Sequence, residues 1–178
     1  MTRVIAGTLG GRRLRTPPGL ATRPTTDRVR EALFSSLGAL DGRSVLDLYA
    51  GSGALGIEAL SRGASRATFV EHDQRTAAVL RENLAELGLT AAEVVVADVS
   101  AFLRRDPALC GAPYDVVLAD PPYADPVGDL VSSLAAWVGD VVVLERSSRD
   151  PGPHWPAGIE AVRSKTYGET ALWYGRSL

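Results

Sequence analysis

The chain has 178 residues, 46% of them hydrophobic and 22% charged, with a formal net charge of −2. That is enough chain for one domain with a real core, and the balance excludes wholesale disorder. A single cysteine, Cys110, excludes an internal disulfide and a cysteine-rich metal site, and no run approaches the ~18 apolar residues of a membrane span.

The first residues, MTRVIAGTLGGRRLR, lack the apolar core of a signal peptide, so a cytoplasmic protein is expected. Residues 2 to 15 alternate loosely around GTLGG, which predicts a β-hairpin with a glycine-rich turn. Thr16 to Pro24 carries three prolines and a glycine and reads as an irregular linker. A helix is predicted from about Asp27, capped by Thr26 or Asp27, with Val29, Leu33, Leu37 and Leu40 along one face.

From Ser44 strands and helices alternate. SVLDLY is a strand, GALGIEALSRG a helix, RATFVE a strand, and QRTAAVLRENLAELG a helix closed by Gly88. AEVVVAD, a short helix VSAFLRR, YDVVLAD, a helix DPVGDLVSSLAAWV and DVVVLE follow. Strands that are short, β-branched and apolar on both faces predict a parallel sheet covered by helices. The last stretch, IEAVRSKTYGETALWYGR, reads as an antiparallel hairpin at the sheet edge, turning at Tyr167-Gly168-Glu169. Residues 1–24 are therefore taken as a basic hairpin and linker, and residues 25–178 as the α/β domain.

Charge is uneven along the chain. Up to Arg43, eight arginines face three acids, a net of +5, and the remainder carries −7. Residues 1 to 23 hold five arginines and no acid. A basic arm of this kind suits a polyanion such as nucleic acid; the competing reading is a solvated, arginine-biased surface.

In open α/β sheets ligands bind beyond the carboxyl ends of the strands. The first strand runs into Asp47-Leu48-Tyr49-Ala50-Gly51-Ser52-Gly53-Ala54-Leu55-Gly56, and Glu71 ends the next strand. Gly51, Gly53 and Gly56 match G-x-G-x-x-G, the dinucleotide fingerprint. A carboxylate at Asp47 would repel a pyrophosphate and attract a cation. S-adenosylmethionine carries an ammonium and a sulfonium, has no phosphate, and offers a ribose for Glu71 and an adenine for Asp98, at the end of the third strand. The competing reading of each acid is a helix N-cap in a βα turn.

The fourth strand ends in Asp120-Pro121-Pro122-Tyr123. The exocyclic amine of a nucleobase is a poor nucleophile because its lone pair is delocalised into the ring. The Asp120 carboxylate and the Pro121 carbonyl, both acceptors, would orient such an amine for in-line methyl transfer, with the prolines stiffening the carbonyl. Tyr123 offers a flat face for the base, worth roughly 1–3 kcal/mol per stacked base.

DLYAGSGALGIEA, FVEHD, VVVADV and VLADPPY resemble the motifs of amino-group methyltransferases that use S-adenosylmethionine. More narrowly, RVIAGTLGGRRLRTP, RPTTDRVREALFSSL and GSGALGIEALSRGA resemble the RsmD family of bacterial 16S ribosomal RNA guanine-N2 methyltransferases, and the similarity covers nearly the whole chain. The resemblance implies a class I methyltransferase fold: a Rossmann-like, mostly parallel seven-stranded sheet with an antiparallel C-terminal edge hairpin, plus an N-terminal β-hairpin. It implies catalytic roles for Asp120, Pro121, Pro122 and Tyr123. It places S-adenosyl-L-methionine at Asp47, Tyr49, Ala50, Gly51, Ser52, Gly53, Glu71, His72, Asp98 and Val99. The RNA partner falls to Arg3, Arg12, Arg13, Arg15, Arg23 and Arg28. The implied protein is a monomer acting without metal on 16S ribosomal RNA, in the small subunit or an assembly intermediate.

Trp137, Trp155 and Trp173 read as packing residues, His154 as surface, and Glu145-Arg146 as a pair bonded to each other or to RNA. No His, Cys or Asp cluster has metal-ligand spacing. Other readings stay open at this point: a DNA adenine-N6 or protein glutamine methyltransferase, a catalytically silent RNA-binding assembly factor, and a nicotinamide oxidoreductase.

Overall fold

The structure, a computed structural model, describes residues 2–19 and 25–178. From Ser44 on, the strands build one seven-stranded sheet. Its strands are β3 (Ser44–Leu48), β4 (Arg66–Glu71), β5 (Ala92–Val96), β6 (Tyr114–Ala119), β7 (Val138–Ser147), β8 (Ile159–Tyr167) and β9 (Thr170–Ser177), in the order β5-β4-β3-β6-β7-β9-β8. The pairs from β5 across to β7 are parallel, and β9 runs antiparallel to both its neighbours. This is the mostly parallel sheet with a C-terminal edge hairpin that the pattern of elements implied. The hairpin turns at Gly168, whose φ of +59 is the value a two-residue II′ turn asks of glycine.

The strand order reverses between β3 and β6, so the crevice at their carboxyl ends is the place for a ligand. Two cores flank the sheet. Val45, Phe69, Val116, Leu118, Val141 and Val143 pack on one face with α1 (Asp27–Leu37), α2 (Ala54–Ser61) and α3 (Gln74–Glu86). Leu46, Leu48, Val70, Val117, Val142 and Leu144 pack on the other with α4 (Val99–Leu103) and α5 (Gly128–Ser133). Burying each such aliphatic side chain stabilises the fold by roughly 1.5–3 kcal/mol. Because strand side chains alternate, Asp47, Glu71, Asp120 and Glu145 continue the first set and all turn toward the α1–α2 face.

Thr26 caps α1, its hydroxyl accepting from the Val29 amide at 3.3 Å. The N-terminal hairpin forms, but its strands β1 (Thr2–Arg3) and β2 (Arg13–Leu14) are two residues each. It is no free arm. Val4 and Leu14 belong to the α1–α2 core. The buried Glu58 carboxylate of α2 accepts from the Ile5 and Ala6 amides at 2.7 and 3.0 Å. At Gly7, φ +81, a Cβ would lie 1.9 Å from the Ser61 carbonyl oxygen, so only glycine allows this approach.

Three local expectations change. The helix read across DPVGDLVSSLAAWV is α5 alone, Gly128–Ser133. Trp137 is 1% exposed against Phe102, and its carbonyl accepts from the Tyr114 amide at 2.8 Å; the chain has already turned into β7. Burial on both faces fails at the edges, since β8 is exposed along nearly its whole length and β5 is half-buried. Tyr49 leaves β3 with φ 62, the one non-glycine in the left-handed region among the described residues, which reverses the chain out of the sheet.

Candidate active site

The glycine loop after β3 is held from two sides. The Gly56 amide donates to Asp47 Oδ2 at 2.9 Å, and the Gly51 amide donates to Glu71 Oε2 at 2.9 Å. Gly56 must be glycine because a Cβ there would sit 2.3 Å from the Phe69 ring, which α2 crosses closely. Gly53 opens α2 at φ +92, where a Cβ would meet Leu80 at 2.3 Å. Gly51 differs: its φ is +57, and nothing lies within 4 Å of the place a Cβ would take. The loop therefore offers bare backbone to open space at Gly51, a cradle for a ligand. Ala50 is buried behind it, and the Ser52 carbonyl accepts from Asn83 Nδ2 at 3.0 Å.

Asp47 is 1% exposed, and the group it meets is the Gly56 amide of α2. Burial lifts its pKa to about 7, opposed by the Gly56 hydrogen bond and helped by the nearby Asp120 and Glu71 charges. It organises the loop from behind. Glu71, also buried, accepts from Gly51 with one oxygen and from the Asp73 amide with the other, at 2.9 Å each. A carboxylate has about four acceptor sites, which leaves Glu71 capacity for a ribose hydroxyl. His72 is exposed, its Nδ1 3.3 Å from Glu71 Oε1. Asp98 is the N-cap of α4, accepting from the Ala101 amide at 3.1 Å and the Ser100 hydroxyl at 2.6 Å. Those bonds, Ser100 first, hold its pKa below the usual carboxylate value. Val99 is buried beneath it.

Across the crevice, Asp120-Pro121-Pro122-Tyr123 leaves β6 and is pinned from β7. Arg146, 6% exposed, donates to the Pro122 carbonyl at 3.0 Å and the Tyr123 carbonyl at 2.9 Å, and pairs with Asp150 at 2.8 Å. The Pro121 carbonyl, beside Asp120, accepts no hydrogen bond among the described residues. The Tyr123 ring is 41% exposed, lies 6.0 Å from the Arg146 guanidinium carbon, and is tethered by its hydroxyl to Thr170 Oγ1 at 3.2 Å. Tyr49 is half-buried in the same crevice; burial, then the charges of Asp125 and Asp98, push its phenol pKa up.

Asp120 has a neighbour that sequence reasoning does not connect to it. Glu145, 5% exposed at the end of β7, and Asp120 share the hydroxyl of Thr25, which lies 2.8 Å from Glu145 Oε2 and 3.4 Å from Asp120 Oδ2. Glu145 and Arg146 are not bonded to each other: the acid meets Thr25 and the guanidinium meets the loop carbonyls and Asp150. The signal that would have found Glu145 is its place as a polar residue at the carboxyl end of a central strand. Arg146 has no such signal, because its partners in the loop are backbone carbonyls.

The basic residues are more dispersed than the charge count implied. Arg3 pairs with Asp27 at 3.0 Å, Arg15 with Glu86 and with Glu82 at 3.6 Å, and Arg12 donates to the Glu86 carbonyl at 3.4 Å. Arg13 and Arg28 are exposed with no ion pair among the described residues, and Arg23 lies outside the described residues. Exposed pairs of this kind are worth about 0–1 kcal/mol, so a polyanion can displace them. An open groove beside the hairpin is lined by Arg13, Leu14, Arg15, Thr16 and Glu86. Trp137 packs in the core, and Trp155 and Trp173 pack against it half-buried. No metal-holding group of three or more His, Cys, Asp or Glu occurs among the described residues, and no helix among them is long and apolar enough to cross a membrane.

Residues 2–176 match the family model described as Conserved hypothetical protein 95. The chain is 37% identical over 175 residues to Ribosomal RNA small subunit methyltransferase D of Escherichia coli K12, covering 95% of this chain and 86% of that protein. It is 34% identical over 174 residues to the Haemophilus influenzae protein of the same name, covering 93% and 89%. Among solved structures, the putative methyltransferase yhhF of Escherichia coli superposes with a TM-score of 0.87 at 37% identity, over 98% of this chain and 97% of that one. Magnesium protoporphyrin IX methyltransferase of Synechocystis PCC 6803, solved with bound S-adenosylmethionine, has a TM-score of 0.64 at 16% identity over 85% of this chain and 77% of that one, which shows a shared fold alone.

Proposed function

The chain belongs to the family described as Conserved hypothetical protein 95, and from that premise we propose that it is an S-adenosylmethionine-dependent methyltransferase acting on the exocyclic N2 of a guanine in small-subunit ribosomal RNA. The observation that carries this reading is the placing, at the ends of neighbouring strands β3 and β6, of an open backbone loop at Gly51 and of a Pro121 carbonyl that accepts no hydrogen bond among the described residues, beside Asp120. The named relatives supply the RNA class. The cytoplasm, where ribosomal RNA is made into particles, is the expected compartment.

When bound, S-adenosylmethionine supplies a methyl group made electrophilic by its sulfonium. The residues present would fit it: Tyr49, Gly51 and Ser52 would flank one side, with Ala50 and Gly53 buried behind them, Glu71 retains acceptor capacity for the ribose, and His72 and Asp98, above the buried Val99, would meet the remaining end. Asp120 and the Pro121 carbonyl accept the two N–H bonds of the target amine and aim its lone pair. Arg146 occupies the Pro122 and Tyr123 carbonyls, so the loop presents one carbonyl and not three. Tyr123 stacks on the base, which has to be unpaired or flipped to reach it. Arg13 and Arg28, exposed and without an ion pair among the described residues, would meet phosphate, with Arg3, Arg12, Arg15 and Arg23 as further contacts. A monomer on 16S RNA, in the subunit or in an assembly intermediate, is the proposed form.

The test incubates the protein and labelled donor with small ribosomal subunits from a strain lacking the corresponding enzyme. Label is expected on guanine N2 in wild type and absent in Asp120→Ala, which should still bind RNA. Label on a ring nitrogen, on DNA or on protein glutamine would overturn the substrate assignment.

A further inference from the structure

The Thr25 hydroxyl has one hydrogen and two lone pairs, yet it lies within 2.8 Å of one carboxyl group and 3.4 Å of another. It serves both only if one of them carries a proton and donates to it, freeing the hydroxyl hydrogen for the other. Glu145 is the one to hold that proton. It is 5% exposed, the residue opposite it on β9 is the fully buried Leu172, and its one hydrogen bond among the described residues is the Thr25 contact. An ionised carboxylate there would be buried without a cation, which is strongly unfavourable. Asp120 has the Arg146 guanidinium nearby to favour its charge.

We propose that Glu145 is a positioning residue for the methyl transfer: as a neutral acid it donates to the Thr25 hydroxyl, which donates to Asp120 and holds that carboxylate ionised and oriented toward the substrate amine. This rests on the methyltransferase reading above. As the nitrogen–methyl bond forms and the sulfur–methyl bond breaks with its electron pair on sulfur, the nitrogen becomes cationic. One of its protons then passes to Asp120, and Glu145 keeps its own.

The groups facing the pair agree with this assignment. Burial, then the Asp120 charge, push the Glu145 pKa up, opposed by Thr25. Burial also raises Asp120, opposed by Thr25 and then Arg146. From β3, Asp47 lies beyond Asp120, itself buried with a raised pKa.

Two measurements test the proposal on the full chain. In the unliganded protein carrying ¹³C-carboxyl glutamate, the Glu145 resonance, assigned by its loss in Glu145→Gln, is expected to be that of a protonated acid at pH 7; an ordinary titration at about 4.3 overturns the proposal. In the labelled-methyl assay, Glu145→Gln, whose amide still donates to Thr25, is expected to lower kcat about threefold, and Glu145→Ala and Thr25→Val roughly 10–100-fold, with S-adenosylhomocysteine affinity little changed. The wild-type rate should fall at alkaline pH as Glu145 ionises, and Glu145→Gln should lack that fall. Equal losses in Gln and Ala, or the same alkaline limb in wild type and Gln, overturn it. A wild type with a protonated Glu145 but no transfer to RNA overturns the methyltransferase reading instead, and with it the catalytic part of this one.

Discussion

Arg146 donates to the Tyr123 carbonyl at 2.9 Å, tying the loop that leaves β6 to the strand beside it. A second bond to the Pro122 carbonyl at 3.0 Å completes a fork that a guanidinium makes and an ammonium cannot. Arg146→Lys is therefore expected to lower kcat at least about tenfold while leaving cofactor affinity within roughly twofold, because the catalytic loop loses its register and the glycine loop does not. Steady-state kinetics beside calorimetry with S-adenosylhomocysteine reads both; equal damage to both would show that Arg146 holds the whole crevice.

Asn83 of α3 connects the N-terminal hairpin to the cofactor loop. Its Oδ1 accepts from the Arg15 amide at 2.8 Å, and its Nδ2 donates to the Arg15 and Ser52 carbonyls at 3.0 Å each. The side chain is 1% exposed, so Asn83→Ala removes three part-buried hydrogen bonds to backbone and should destabilise by about 1–3 kcal/mol. Hydrogen exchange should quicken at Arg15 and across Gly51 to Gly53 together. Faster exchange at Arg15 alone would mean that the hairpin and the loop are not coupled.

The three glycines of the loop are glycines for different reasons, and substitution separates them. Gly56→Ala drives a methyl into the Phe69 ring, 2.3 Å away, and should cost about 1–3 kcal/mol or more in thermal unfolding. Gly51→Ala meets no atom and is strained only through its φ of +57, by about 1 kcal/mol. Its methyl projects into the open cradle, so this milder fold variant should bind S-adenosylhomocysteine more weakly than Gly56→Ala relative to its stability.

Stability should fall with rising pH on account of Asp47. Its folded pKa of about 7 exceeds the ordinary value of 3.8, so the folded state binds more protons than the unfolded between those values. The contribution is complete below about pH 4 and is lost as pH rises through 7. Asp98 and Asp115, whose hydrogen bonds lower their pKa values, act in the opposite sense at acid pH. Comparing wild type with Asp47→Asn removes their effect: the variant keeps an acceptor for the Gly56 amide and should gain stability over wild type from pH 5 to pH 8. The gain is on the order of a few kcal/mol in chemical denaturation, and a constant difference across that range would contradict the assignment.

Much of this was legible along the chain. RATFVE is β4 to the residue, the alternation after Ser44 is the parallel sheet, and Thr26 is the α1 cap. These depend on local periodicity, on side chains that bond within a few residues, and on glycine's access to positive φ, all properties of short segments. The short motif DPPY and the glycine loop were readable for the same reason.

Other features depend on groups far apart in sequence. Thr25 meets Glu145 across 120 positions, and Arg146 reaches carbonyls whose residue identities leave no trace. Asp47 was legible as an acid before a glycine loop, but whether it faces solvent or a helix amide depends on how α2 crosses Phe69. The arginines of residues 1–15 were legible as charge; their pairing with Asp27, Glu82 and Glu86 came from docking the hairpin on the helices. The sequence by itself determined which elements form and which residue types stand at the strand ends, because those follow from local steric and hydrophobic patterning. The tertiary structure decided which carboxyl groups are buried together at Thr25 and which loop carbonyls Arg146 takes, because packing and hydrogen bonding between distant segments set both.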